Sequence, residues 1–331
     1  MSKEPPSPMD SSRQFGVAEI LREALYLPTR NKKLMLPTML LAFLTSTFSF
    51  IGNSYIPIYP LLLSFFIKLH LLSEKDPNTP QFYDLLLGIK YEAAALLRFD
   101  TIFMVFSYIL SLLSIMIIVY SSSTTYSKKQ LTATDLLLRI KGSWKGPLVT
   151  KFYFTLLYVG YSVLSISLIA IPLLKADGSI LRIAIFALLG VTARLFYVYL
   201  AMVWMVGLVI SIVEEGCYGL EALDKAKDVT KGKRMQGYLI AIVFLLGDGV
   251  LNVGYIFETT NGGGSHVVNK RGNGLVMFCV YMLLKMFSCM VYSVYYCECK
   301  MSQEKENDVA RSFTYTRVID DHTPSVDEQL A

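Results

Sequence analysis

The chain has 331 residues and a mean hydropathy of +0.47; 53% of its residues are hydrophobic and 17% are charged. An average soluble domain carries about 25% charged residues, and here the apolar residues are blocked into long runs, so a soluble globular protein is excluded and a membrane protein is expected. The net charge of +5 is not gathered into one basic region, which argues against nucleic acid as a partner, and the five cysteines and three histidines form neither a disulfide framework nor a metal cluster, so no cofactor is expected.

Residues 1–14 are rich in Pro and Ser and read as a disordered tail. The stretch "FGVAEILREALYLPTRNKK" follows. Ile20, Leu21, Ala24 and Leu25 share one helical face and Glu19, Arg22 and Glu23 the other, which predicts a short helix in the membrane interface. The first apolar run, Leu34 to Ile67, has no charge and begins after a polar leader, too long for a signal sequence. Pro57 and Pro60 predict a break. One reading is a single span over about 34–56 followed by a broken segment near the far surface; the other is two spans.

Further spans are expected at about 99–120, 152–174, 183–213, 237–257 and 274–296, giving an all-α bundle of six transmembrane helices over residues 15–300. Residues 301–331 are polar and read as a disordered cytoplasmic tail. No segment outside the spans exceeds about 40 residues, too short for a separate catalytic domain. With the N-terminus inside, 21 of the 31 Lys and Arg residues fall on the cytoplasmic side and 8 on the other, with Arg194 and Lys285 inside spans. This bias places both termini in the cytoplasm. The membrane is an endomembrane or the plasma membrane.

The three cytoplasmic segments resemble one another. Each opens with an acid, an apolar residue and Leu: Glu19-Ile20-Leu21, Asp135-Leu136-Leu137 and Glu221-Ala222-Leu223. Each reaches a basic residue ten or eleven positions later (Arg30, Lys145, Lys231) and then enters a span. The unit reads as an interfacial helix followed by a helical hairpin, either a threefold repeat or the common look of cytoplasmic loops. The acids favour the positive end of the helix dipole, and the basic residues meet anionic headgroups. In the third copy Leu220, Leu223, Ala226 and Val229 are expected to face the membrane.

Charges inside spans are costly and mark candidate sites. Asp248 and Lys285 each lie about eleven residues from the cytoplasmic end of their spans, roughly 16 Å deep, which predicts a buried ion pair. Arg194 and Glu258 lie at a similar height farther out and form a second candidate pair. Each pair has two readings: an ion or ligand pathway, or a structural pair that orders the bundle. Gly247 and Gly249 flank Asp248 and fit close helix packing, since the spacing is no dinucleotide fingerprint. "NGGGS" at 261–265 reads as a flexible connector. Cys297 and Cys299, at the cytoplasmic end of the last span, are either palmitoylation sites or plain boundary cysteines.

The stretch "SIVEEGCYGLEALDKAKDVTKGKRMQGYL" carries a further signal. An apolar span runs into Val-Glu-Glu-Gly, then Gly-Leu-Glu-Ala-Leu, a helix, and Lys-Gly-Lys before the next span. The pattern, at Glu214, Glu215, Gly216, Ala222, Leu223, Lys231 and Gly232, resembles the membrane-domain family found beside bacterial glycerophosphodiester phosphodiesterases. It is more similar still to uncharacterised six-span plant membrane proteins, which "LTATDLLLRIKGSWKGPLVT" also resembles. The resemblance implies a helical membrane fold without phosphodiesterase activity, because in the bacterial enzymes catalysis belongs to a separate soluble barrel. It supplies no catalytic residue. The reading that follows is a non-enzymatic membrane protein that organises lipids or partner proteins, with membrane proteins or a second copy as partners. The alternative is a transporter of a small solute or lipid that uses Asp248 and Lys285.

Overall fold

The computed structural model describes residues 16–55, 58–73, 79–128, 132–173, 180–261 and 267–320, with side chains left out at 49–63, 73–78, 99–100, 169–183, 185–187, 255–256, 258–275 and 308–320. Every regular element among them is a helix. In chain order these are α1 (Val17–Arg30), α2 (Lys32–Tyr55), α3 (Ile58–Ser73), α4 (Pro80–Tyr126), α5 (Ala133–Ser143), α6 (Lys145–Leu173), α7 (Ile180–Val213), α8 (Leu220–Val229), α9 (Arg234–Asn261) and α10 (Val267–Asp320). A short helix precedes a long hairpin three times: α1 before α2–α4, α5 before α6–α7, and α8 before α9–α10.

The acids that open the short helices act as caps. In α1 a Glu19 carboxylate oxygen accepts the Gly16 amide at 3.1 Å; in α5 Asp135 accepts the Thr132 amide at 3.3 Å. Each arrangement ties up a donor that the first helical turn leaves unpaired. The third copy differs: the Gly219 amide before α8 donates instead to Thr150 Oγ1 on α6, at 2.8 Å.

The question of how the run from 34 to 67 travels is answered by its packing on α4. Thr45 Oγ1 meets Ser114 Oγ at 2.6 Å, the rings of Phe48 and Phe106 lie 6.0 Å apart, Ser64 donates to Glu92 at 2.9 Å, and Lys68 pairs with Glu92 at 2.6 Å. Along these contacts the α2–α3 residue number rises as the α4 number falls. Consequently α2 and α3 continue in one direction against a single antiparallel partner, and α3 does not double back. At 1.5 Å per residue the 47 residues of α4 reach about 70 Å, more than twice a hydrocarbon layer of about 30 Å. The expected second span at 99–120 is therefore only the inner part of a longer helix.

The core lies toward one end of the bundle. Buried residues concentrate at 112–125 of α4, 198–212 of α7, 286–299 of α10 and 240–244 of α9. The short helices complete this core. Ile20, Ala24 and Leu27 of α1, Leu136 and Ile140 of α5, and Ala222, Leu223, Ala226 and Val229 of α8 are all buried. This corrects the expected orientation of α8: Leu223, Ala226 and Val229 pack inside the protein, and of the four residues assigned to the membrane only Leu220 is exposed, at 59%. Gly207 on α7 permits the packing. A Cβ there would stand 3.4 Å from the Ala222 carbonyl and 3.2 Å from the Phe154 ring.

A second correction concerns the C-terminal region. The tail expected to be disordered from residue 301 continues as helix in α10 to Asp320. Its turns just beyond residue 299 are held by the segment between α7 and α9. Lys300 pairs with Glu214 at 2.9 Å, and Gln303 Nε2 donates to the Asp228 carbonyl at 2.9 Å.

Candidate functional site: the cleft beside Glu214 and Glu215

The Glu-Glu-Gly stretch forms where α7 ends. The Glu214 amide still donates to the Ile210 carbonyl at 2.8 Å, and the chain then turns through Gly216 (φ +86°) and Gly219 (φ +66°) into α8. Both glycines sit in the left-handed region, where a Cβ costs on the order of 1 kcal/mol or more. Gly232 differs: no neighbour lies within 4 Å of its Cβ position, and its φ is not in that region, so neither space nor backbone requires glycine there. Lys231 is exposed, with its amide donating to Asp228 in the α8–α9 turn.

Glu214 is the centre of a charge cluster. Its carboxylate takes Lys225 Nζ at 2.5 Å, the Tyr296 hydroxyl at 2.6 Å and Lys300 Nζ at 2.9 Å, joining the end of α7 to α8 and α10. Its side chain is only 14% exposed. Burial by itself raises its carboxyl, but the bonds from Lys225, Tyr296 and Lys300 outweigh that and bring it down to about 2. The same bond to Glu214 raises Lys225. Glu215 points elsewhere, pairing with Arg139 of α5 at 2.7 Å, and the Arg139 guanidinium lies over the Tyr120 ring at 5.2 Å. The two adjacent glutamates thus tie the same turn to opposite neighbours.

Beside them lies a cleft of about 460 Å³ between α5, the start of α6 and the 214–218 turn. Arg139, Ser143, Lys145, Gly146, Glu215 and Tyr218 are among its walls, and Glu214 and Ser211 also line it. Cys217 lines it too as a buried thiol, pushed up by burial.

Asp248 and Lys285, expected to form a buried pair, do meet, with Lys285 Nζ 3.1 Å from Asp248 Oδ2, but the pair is not buried in the protein. Asp248 sits one turn beyond buried Phe244 on α9, and Lys285 one turn before buried Cys289 on α10, so the pair extends the packed stripe outward. Lys285 is still 49% exposed in the protein and also lies over the Tyr281 ring at 5.4 Å. Arg194 lies over the Tyr197 ring at 5.5 Å; Glu258, its proposed partner, falls outside the described side chains. Cys299 is 1% exposed, and Cys297 has its sulfur 4.0 Å from Ser123 Oγ. The buried Cys299 thiol does not fit the palmitoylation reading, because acylation needs an accessible thiol.

Two contacts were not foreseen. Lys151, counted as a loop residue, lies in α6 and donates to the Tyr108 carbonyl at 3.1 Å while standing over the Tyr108 ring at 4.3 Å. Glu298 is buried, accepts the Tyr126 hydroxyl and lies 3.7 Å from Lys233. A signal for the Glu214 cluster was present in the Tyr296 and Lys300 spacing, since residues four apart share a helix face.

Among the described residues five helical segments are long and apolar enough to cross a membrane: Pro80–Tyr126, Lys145–Leu168, Leu188–Val213, Arg234–Gly254 and Val276–Asn307. The protein is thus of the all-helical class with several membrane-compatible helices. Residues 8–314 match the family model described as Domain of unknown function (DUF8558), and the chain belongs to that family. No curated protein matches the chain. No solved structure matches it either.

Proposed function

We propose that the chain is a six-span integral membrane protein, with both termini cytoplasmic, that organises phospholipids at the inner surface without catalysing a reaction. The carrying observation is the two-sided character of the short helices. One apolar face of each is buried in the bundle, yet α1 also exposes Leu25 and Tyr26, α5 exposes Leu137 and Leu138, and Trp144, Tyr218 and Leu220 are exposed at the adjoining turns. Exposed Arg22, Arg30, Lys32, Lys33, Lys141 and Lys145 accompany them. Exposed apolar side chains beside basic ones, at the level where apolar helices end, match a bilayer interface. Helix α2 supplies the first span, with no charge after Lys33. The likeness to phosphodiesterase-associated membrane domains belongs to this proposal as a shared fold and membrane residence. Purified protein washed extensively in detergent is expected to retain phospholipid, and serine at Leu137, Leu138 and Trp144 together to reduce it. Retention no greater than that of an unrelated membrane protein refutes the reading.

A transporter is the second reading, favoured by the exposed Asp248–Lys285 pair on the inward stripe. Replacing both residues by apolar ones is expected to leave lipid retention and folding intact. Loss of a cellular function in that folded double variant favours transport.

A further inference from the structure

We propose that the cleft between α5, α6 and the Glu214–Gly219 turn binds the headgroup of a zwitterionic phospholipid, its phosphodiester at Lys145 and its ammonium group at Glu215. The inference rests on the lipid reading above and adds a site and a headgroup class to it.

The position comes first. Glu214 directly follows Val213, the last residue of an apolar membrane-length helix, so the cleft opens at headgroup level. Its volume of about 460 Å³ lies in the range of roughly 300–1,000 Å³ usual for small-molecule sites.

The charges then select the occupant. Four charged side chains line the cleft, Arg139, Lys145, Glu214 and Glu215. The charge of Glu214 is already matched by Lys225 and Lys300. Arg139 and Glu215 hold each other, but their side chains are 47% and 76% exposed, and an exposed pair of this kind is weak and opens readily. Lys145 is exposed and has no ion-pair partner among the described residues. The cleft therefore presents one unmatched cation next to a labile pair. A phosphodiester satisfies Lys145 and can share Arg139, which frees Glu215 for a cation. A headgroup carrying both charges meets both needs. A purely anionic headgroup uses only Lys145 and leaves the Arg139–Glu215 pair as it stands, and a lone cation leaves Lys145 unmatched.

The rest of the lining agrees. Tyr218, 54% exposed, offers an aromatic ring to an ammonium group. Gly146 packs against Tyr218, and a Cβ there would be in ordinary contact at 3.5 Å from the Tyr218 Cβ. Exposed Leu138 on α5, Val149 on α6 and Trp144 between them supply apolar surface for the acyl chains.

The test is native mass spectrometry of the purified full-length protein titrated with phosphatidylcholine or phosphatidylglycerol. The wild type is expected to retain phosphatidylcholine about tenfold better, the scale of one charged contact. Glu215→Gln is expected to abolish that preference, and Lys145→Gln to weaken both lipids about tenfold. Gly142→Phe, at a position with no atom within 4 Å of its Cβ, should fill the cleft and reduce phosphatidylcholine without lowering the unfolding temperature. Equal retention of both lipids, unchanged in all three variants, overturns the headgroup site while leaving the lipid reading intact. A preference for phosphatidylglycerol also overturns it. Retention of neither lipid by the wild type removes both.

Discussion

Glutamine at position 214 isolates the charge that joins α7, α8 and α10. Glu214 is brought from an ordinary value of 4.5 to about 2, because Lys225, Tyr296 and Lys300 favour its ionised form more than burial opposes it. The lowered pKa means that the folded state holds the charged form more tightly than the unfolded state does. The contribution is fully present above about pH 4.5 and is lost as pH falls from there toward 2. At about 1.4 kcal/mol per pH unit the gap corresponds to on the order of 3 kcal/mol. The side chain is mostly buried, so solvent screening removes only part of this. The assay is thermal unfolding of purified protein in a fixed detergent, followed by intrinsic fluorescence from pH 3 to 7. At pH 7 Glu214→Gln should unfold roughly 5–10 °C below the wild type. The gap between the two curves should narrow toward pH 3, since the stabilisation by the lowered carboxyl declines as pH falls below about 4.5. Lys300→Met should lower the wild type but have much less effect in the Glu214→Gln background, because the two residues share one interaction. Equal unfolding temperatures at pH 7, or a gap that persists unchanged at pH 3, would refute the assignment of this cluster as an electrostatic clasp.

Glycine substitutions separate close packing from backbone conformation. A Cβ at Gly237 would stand 2.5 Å from both Met202 Sδ and Tyr295 Oη, and both neighbours are fully buried. Gly237→Ala should therefore cost about 1–3 kcal/mol in thermal or denaturant unfolding. Gly216→Ala should cost about 1–2 kcal/mol through its positive φ although no neighbour is near, whereas Gly232→Ala, in the same sequence motif, should be within about 0.5 kcal/mol of the wild type.

What could be read from the residues was the pattern that local physics imposes. Uncharged runs near twenty residues marked the long helices, and the acid-apolar-Leu openings marked α1, α5 and α8. Asp248 and Lys285 met because equal depth in consecutive antiparallel helices leaves few other partners. Partners remote in sequence were less visible. Nothing local to Glu214 indicates Tyr296 or Lys300, eighty-two and eighty-six residues away. Lys151 looked like one more positive charge in a loop, because its acceptor is a backbone carbonyl that carries no sequence signature. The two-sided short helices were misread for a related reason. Periodicity shows that Leu223, Ala226 and Val229 share a face, but both lipid and protein core satisfy an apolar face, and the tertiary contacts that decide between them, such as the close approach at Gly207 on α7, have no local signature.

The long α2–α4 hairpin carries the topology. Helix α3 continues the direction of α2 along α4 and α4 returns, so under the proposed topology this hairpin crosses a bilayer once in each direction. Lys68 and Glu92 then have a definite location. Glu92 is 28 residues from Tyr120, about 42 Å along the helix, beyond a hydrocarbon layer of about 30 Å. An ion pair at that height lies beyond the hydrocarbon layer, and Tyr91, next to Glu92 on α4, is 70% exposed. A single cysteine placed at Tyr91 should therefore react with a membrane-impermeant maleimide from the side opposite to one placed at Leu138, which is 68% exposed on α5. In sealed vesicles with the cytoplasmic face outward, Leu138→Cys should label at once and Tyr91→Cys only after permeabilisation. Reversed labelling would mean that residues 34–67 cross twice or that the termini lie outside. Labelling of both from one side would remove α4 from the set of spanning helices.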